Sequence, residues 1–443
     1  MLHSRTLIVA VLLGTTLATS ASADTLSDVF AVAKQRDPRY LSVRAEYEVT
    51  GFAIKESRAP LLPQVALNYN RTQTDQRIVN SENRVFSSGS ASYPTNDVTL
   101  SISQSIFRLS TWRNWRQAQS SERQAAAAYA FAEQDLIVRT ATAYMAVLAA
   151  QDALAFARGE SESIKRQLEL ADAKFKSGQA IRVNLFDAQS RNALKQSDVI
   201  AAENDLADKK QALRELTGAE VTSLAPLVDA APTVLPEPQN ADQWVQSAMD
   251  RNLLLEARTQ AVDVATQEIE KIRAAYYPTV DLLLSRNQRV TGGSLFGGGS
   301  NVNTNDVMVR VNVPIYDGGT TNAQIGKANA RRTVAQQDLE RDRRQIDRQA
   351  RAAYAGVVSG VSRAAALDQS VQALDSARKL KEESYRAGIS TVLGVLDAQR
   401  DLYAVRRDAA QSRYDYQLNV LRLKQAAGTL NENDLVAISR AAP

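Results

Sequence analysis

The sequence predicts a mixed all-α/β-barrel chain, built as a duplicated half-molecule with four amphipathic strands and two very long helices. Three observations predict it. The chain repeats itself at one nearly constant offset. Short runs alternate apolar and polar residues with a period of two. A helical seam of small and apolar residues continues for about five heptads.

The repeat comes first because it organises the rest. "RAPLLPQVALNYN" at 58–70 matches "RAAYYPTVDLLLSRN" at 273–287, and "TNDVTLSISQSIF" at 95–107 matches "TNDVMVRVNVPIY" at 304–316. "FKSGQAIRVNLFDAQ" at 175–189 matches "YRAGISTVLGVLDAQ" at 385–399. The offset stays between 209 and 215 throughout, so the unit is a half-molecule and not a short solenoid repeat. The first half is predicted over 24–222 and the second over 241–430. A Pro-rich linker, 223–240, joins them, and 431–443 forms a C-terminal segment.

Residues 1–23 read as a signal peptide. "MLHSR" is a short basic start, "TLIVAVLLGTTLA" is an apolar run, and "ASA" ends on a small-x-small cleavage pattern. The run is too short to span a membrane as a helix. Position 24 is Asp and not Cys, so no lipid anchor is expected at that site.

Each half then reads as helix, two strands, long helix, bend and return helix. Strands are expected at about 64–75, 97–107, 279–290 and 305–316. In the last of these Val307, Val309, Val311, Val313 and Ile315 alternate with Met308, Arg310, Asn312 and Pro314. A period of two puts one apolar face opposite one polar face. The pattern fits a half-buried sheet in a soluble sandwich. It also fits tilted strands of about 10 residues that cross a bilayer. The segments between paired strands, "NSENRVFSSGSASYPTN" and "TGGSLFGGGSNVNTN", read as long polar surface loops. The second lacks the Gly-Lys-Ser/Thr ending of a phosphate-binding loop.

The seam runs through Leu136, Thr140, Ala143, Val147, Ala150, Leu154 and on to Phe175, in steps alternating between four and three residues. No breaker lies between about 110 and 175, or between about 320 and 385. At 1.5 Å per residue each helix is roughly 100 Å long. Gly178 and Gly388 then permit a reversal, so bends are expected at about 177–182 and 387–392. The bends fit a plain helix-turn-helix reversal, but both retain Asp-Ala-Gln just beyond the turn.

Composition excludes much chemistry. The chain has no Cys, and its only His is His3 in the leader. Thiolate and imidazole catalysis and Cys- or His-ligated zinc are therefore absent from the mature chain. Ser/Lys or carboxylate chemistry remains without a clustered motif, so no enzyme and no cofactor are expected. Loss of Arg5 with the leader takes the formal charge from +4 to +3, which implies no nucleic-acid surface. Four strands in one chain leave two open edges, which lipid does not tolerate. Closure needs further copies; three would give twelve strands, and two or four also satisfy the residues alone.

"RAPLLPQ" (58–64), "QSIFRLSTWR" (104–113), "TATAYMAVLAAQDAL" (140–154), "SYRAGISTVLGVLDAQ" (384–399) and "YDYQLNVLRLKQAAGTLNENDLVAI" (414–438) follow one another in a known order. In them the chain resembles the TolC family of outer-membrane channel-tunnels. The resemblance implies a homotrimer, with a 12-stranded barrel in outer-membrane lipid continued by a helical periplasmic barrel of coiled coils. It implies a passive exit duct of a Gram-negative cell for tripartite efflux or type I secretion. Its partners would be a periplasmic adaptor (membrane fusion protein) and an inner-membrane ABC or proton-driven transporter. The competing readings are a structural coiled-coil protein of the envelope and a general diffusion porin. The former needs no membrane-length strands, and the latter no 100 Å helices.

By position, Tyr385 matches a tyrosine of the family's closed-entrance network, and Asp397 an acidic residue ringing that entrance. The Arg expected near the second bend is Ser390, the Asp expected at 394 is Gly394, and the Asp expected to accept from Tyr385 is Asn184. Arg182 and Asp187 appear in the first bend instead. The gate is thus expected to involve Tyr385, Arg182, Asn184 and Ser390, and the acidic ring Asp397 and Asp187. Adaptor docking is expected around Gly178, Gly388 and Phe175.

Overall fold

The computed structural model describes residues 23–80, 89–179, 181–220, 223–226, 234–294, 297–387 and 389–440. The leader before Ala23 lies outside the described residues, as does Gly388.

Each half opens on two helices where the sequence suggests one: α1 (Leu26–Arg36) and α2 (Pro38–Arg58), then α5 (Ala241–Arg251) and α6 (Leu253–Arg273). A single residue makes each break. Asp37 donates its N–H to the Ala33 carbonyl, and its side chain accepts from the N–H groups of Arg39 and Tyr40. Pro38 follows and has no N–H to continue the first helix. Asn252 ends α5 and caps α6 in the same way, accepting from Leu254 and Leu255.

The strands are β1 (Gln64–Ile78), β2 (Gly89–Phe107), β3 (Thr279–Ser294) and β4 (Gly297–Asn312), in one antiparallel sheet of order β1-β2-β3-β4. Leu67 faces Leu100, and Ile102, Leu284 and Val307 form one cross-strand row. This puts the apolar residues on one face, with Leu67 70% and Val307 76% exposed. The other face carries ion pairs such as Arg289–Asp97 and Arg108–Asp281.

Two expectations about these segments need correction. The described parts of the polar stretches read as long loops continue the ladder: Gly89 to Thr95 pair with residues from Ile78 back to Thr72, and Ser294 pairs with Gly297, while 81–88 and 295–296 lie outside the described residues. Ladder bonds are made by the backbone and need no apolar side chains. Gly also suits this crowding, since a Cβ on Gly299 would lie 2.4 Å from the Thr291 carbonyl. In turn β4 stops at Asn312, short of the expected 316, because Pro314 cannot donate to a ladder.

The long helices are α3 (Leu109–Lys176) and α7 (Thr320–Arg386), 68 and 67 residues. They return as α4 (Arg182–Thr217) and α8 (Val392–Ala426). Along α3 the seam residues Leu136, Thr140, Val147, Ala150, Leu154, Ile164 and Ala171 are buried, whereas Ala143 is half-buried and Phe175, at the end of the seam, is exposed.

The main core lies at the waist. Tyr40 of α2, Leu136 and Tyr144 of α3, Leu213 of α4 and Leu421 of α8 meet Leu435 of α9 (Glu432–Arg440). The linker is stitched to this waist: the Tyr144 hydroxyl donates to the Ala225 carbonyl at 2.6 Å, and the Tyr416 hydroxyl to the Val234 carbonyl at 2.9 Å. Burial opposes the charge on Lys34, yet its bonds to Glu133 and Glu432 prevail and raise its pKa, tying α1 to α3 and α9.

Helix α8 ends against the start of α6. Asn252 Nδ2 donates to the Ala426 carbonyl at 2.9 Å. Gly428 (φ +70°) completes the junction, and a Cβ there would lie 2.1 Å from the Arg251 carbonyl oxygen. Gly428→Ala is expected to lower stability by about 2–5 kcal/mol, from left-handed strain plus overpacking. At its repeat mate Gly218 (φ +62°) a Cβ would make only an ordinary contact, with Arg36 Cδ at 3.6 Å. Gly218→Ala should therefore lose only about 1–2 kcal/mol. Equal losses at the two positions, by denaturation of the detergent-solubilised protein, would show that the Arg251 contact is unimportant.

Candidate functional site at the helical tip

The far ends of the two helical hairpins form the tip. Helix α3 ends in a glycine cap: Gly178 takes φ +75°, its N–H bonds the Phe175 carbonyl, and the Gln179 N–H bonds the Lys174 carbonyl at 2.8 Å. The second bend repeats the reach-back, with Ile389 N–H bonding the Ser384 carbonyl at 2.9 Å. The two return helices start differently. Thr391 caps α8 by accepting from Gly394 N–H, whereas Ile181 before α4 has no capping side chain.

Tyr385 is half-buried, and its partner comes from the other hairpin. Lys174 Nζ donates to the Tyr385 hydroxyl at 2.7 Å and lies 4.2 Å from the ring centroid. Asp397 also looks across: its carboxylate accepts from Arg191 of α4 at 3.3 Å, with Arg400 of its own helix at 3.7 Å. Each link joins the first half to the second.

The other predicted gate residues sit at the rim. Arg182 lays its guanidinium 5.3 Å from the Phe186 ring centroid, one turn along its own helix. Among the described residues no ion pair joins it to Asp187 or Asp397. Asn184 and Asp187 are exposed on the first turns of α4, and Ser390 is half-buried beside Gly394. Phe175, 36% exposed, shares the rim with exposed Ile181, Val183, Phe186, Ile389 and Leu393.

Lys174 and Arg191 escape the sequence reading. The signal that could have found them is a broken repeat. The offset of 210 between the two Asp-Ala-Gln motifs pairs Lys174 with Ser384 and Arg191 with Asp401, so both bases are unrepeated in an otherwise repeated bend. Chemically the tip is a set of ion pairs and cation–aromatic contacts. No cluster of three acidic, His or Cys side chains able to hold a metal occurs among the described residues. None of the described helices is long and apolar enough to cross a membrane.

The sequence profile of the outer membrane efflux protein family matches residues 30–219 and 244–429, one stretch in each half. The chain belongs to the outer membrane efflux protein family. It is 33% identical, over 98% of its length and 97% of the relative's, to outer membrane protein TolC of Vibrio cholerae. It is 29% identical, over 94% of its length and 86% of the relative's, to the alkaline protease secretion protein AprF of Pseudomonas aeruginosa. The fold matches the Campylobacter jejuni CmeC outer membrane channel with a TM-score of 0.78 at 15% identity, covering 94% of this chain and 89% of that one. As a member of the outer membrane efflux protein family, the protein is an outer-membrane channel of the efflux and type I secretion class. Members of this family work as exit ducts together with adaptors and inner-membrane transporters.

Proposed function

We propose that three copies close one 12-stranded barrel in the outer membrane and one helical tunnel beneath it. Cargo would leave passively through this duct, driven by an adaptor-coupled ABC or proton-driven transporter in the inner membrane. One observation carries closure by further copies: the sheet exposes an apolar face and leaves β1 and β4 as open edges, and the family resemblance sets the number at three. Lipid solvates such a face but not such edges, so closure by further copies satisfies both. Twelve strands are an even number of the kind outer-membrane barrels use.

At the tip, we assign the closed state to the Lys174–Tyr385 and Arg191–Asp397 links. Arg182, Asn184 and Asp187 are exposed on the first turns of α4, at the entrance and within reach of a neighbouring copy. The adaptor would dock on the apolar rim around Phe175, Ile181 and Ile389. An adaptor that displaced these contacts would open the entrance.

The purified protein in detergent is expected to have the mass of three chains by light scattering, with detergent mass subtracted. It is also expected to conduct ions in planar bilayers. A monomer would overturn the barrel, and a trimer without conductance would favour a structural envelope protein. Co-purification of an inner-membrane transporter with the tagged channel would identify the cargo class.

A further inference from the structure

We infer that each chain carries a pocket for small amphipathic organic anions on the inner wall of the tunnel, near the waist, with Arg348 and Arg422 as its anchors. The inference rests on the channel reading above. A cavity of about 470 Å³ opens where α8 ends and α6 begins, between α3 and α7. That volume suits a small organic molecule. Arg348 of α7 and Arg422 of α8 line it with the amides of Gln349 and Asn419, and Phe131 and Leu254 supply apolar surface.

The charges do not cancel locally. The carboxylate in the lining, Asp135, is already held by Arg139 at 2.8 Å and Arg39 at 3.8 Å. Three nearby arginines of α7 are committed, Arg341 to Asp338 and Asp342, Arg344 to Glu340, and Arg351 to Asp347 and Asp242, whereas Arg343 and Arg363 have no ion pair among the described residues. Arg348 and Arg422 have no carboxylate within 4.0 Å among the described residues. A smaller hollow of about 190 Å³ continues from Asn419 and Arg422 toward Arg363. Its carboxylate, Asp415, accepts from Gln411 at 2.9 Å. The groove therefore holds three arginines against one carboxylate that no base has claimed.

Helix geometry gives the side. Arg422 stands two residues before Lys424, roughly 200° around α8. Lys424 donates to Asp434 of α9, which together with α1 and α5 makes a belt of short helices packed on one side of the long ones. Arg348 likewise stands two residues before Ala350, which is buried with Ala248 of α5. Both guanidiniums therefore point away from the belt and into the bore.

The repeat supplies a second, independent observation. At the offset of 210, Val138 and Ala212 occupy the positions equivalent to Arg348 and Arg422. The same helical frame is built in the first half without these charges, so the frame does not require them. Two guanidiniums can hold a sulfonate or carboxylate with paired N–H bonds while the apolar body rests on Phe131 and Leu254. Threefold assembly would present six such groups around the bore.

The probe is naphthalene-1,5-disulfonate, a soluble aromatic dianion, added to one side of single channels in planar bilayers. It is expected to reduce the current in a saturable way. Arg348→Gln with Arg422→Gln should weaken the block at least about tenfold, since each lost charge-assisted bond is worth more than 1.4 kcal/mol. Arg348→Lys with Arg422→Lys should keep more of it than the glutamine pair. Should the double variant fail to assemble, Arg422→Gln alone, which breaks no ion pair, gives the same reading. A conducting parent channel without block, or a block unchanged in the glutamine variants, overturns the pocket. A parent trimer that does not conduct overturns the channel reading instead.

Discussion

Replacing Lys174 by Met and Arg191 by Gln in the same chain is expected to raise single-channel conductance severalfold and to shift the channel toward its open state. The two substitutions remove the two tip links described above, two per chain and six per trimer. The Arg191 and Asp397 side chains are 33% and 37% exposed, so solvent screens the pair. Each link is then worth about 0.5–1 kcal/mol and not the full value of a buried ionic bond. Six of them add to about 3–6 kcal/mol. Moving a two-state equilibrium from 1:99 to 99:1 takes about 5.5 kcal/mol, so the sum is large enough to change which state dominates. Tyr385→Phe alone should act more weakly, because it removes the acceptor of Lys174 but leaves the ring beneath the ammonium. Arg182→Ser should leave conductance within about twofold, since Arg182 rests on Phe186 of its own helix. Unchanged conductance in Lys174→Met/Arg191→Gln would place closure in contacts between copies, with Arg182 and Asp187 the first residues to test.

Asp187→Asn combined with Asp397→Asn is expected to abolish cation preference and to remove block by a trivalent cation added from the tip side. In the proposed trimer each position would supply three carboxylates at the entrance. Two unit charges about 8 Å apart interact by roughly 0.5 kcal/mol in water and roughly 2 kcal/mol at an effective dielectric near 20. A cation on the axis would feel several such attractions, and an anion as many repulsions. The two positions should differ in weight. Arg191 and Arg400 flank Asp397, whereas Asp187 has no ion pair among the described residues. Arg191→Gln should therefore increase cation preference, because it frees the Asp397 charge while loosening the entrance. Reversal potentials across a salt gradient measure preference, and trivalent titration measures block. A doubly neutralised tip that kept both properties would reduce these residues to solvated helix-start carboxylates.

Much of this architecture was legible in the sequence because it is written in local periodicity. The four-and-three spacing from Leu136 to Phe175 predicted a helix to about 175, and α3 ends at Lys176. The alternation around Val307 predicted a two-faced strand, and β4 places Val307, Val309 and Val311 opposite Leu284, Leu282 and Val280. Gly178 was expected at a reversal and takes the left-handed conformation that an L side chain resists. The polar stretches around Tyr93 and Ser300 misled the reading. Their ladder bonds come from backbone groups that carry no residue-specific signal.

By itself, then, the sequence determined the duplication, the lengths and faces of the long elements, and the places where the chain reverses. Each of these depends on interactions between residues a few positions apart, whose spacing the chain records directly. Only the tertiary structure decided which charges meet. Lys174 and Tyr385 lie 211 positions apart, and Arg191 and Asp397 lie 206 apart. The open cavity at Arg348 and Arg422 exists only because α8 stops where α6 starts. Such meetings depend on how two twisted hairpins lie against each other, and a shift of one helical turn would exchange every partner. No local pattern encodes that register; the packing of the waist core and the closeness of the glycine-capped ends set it.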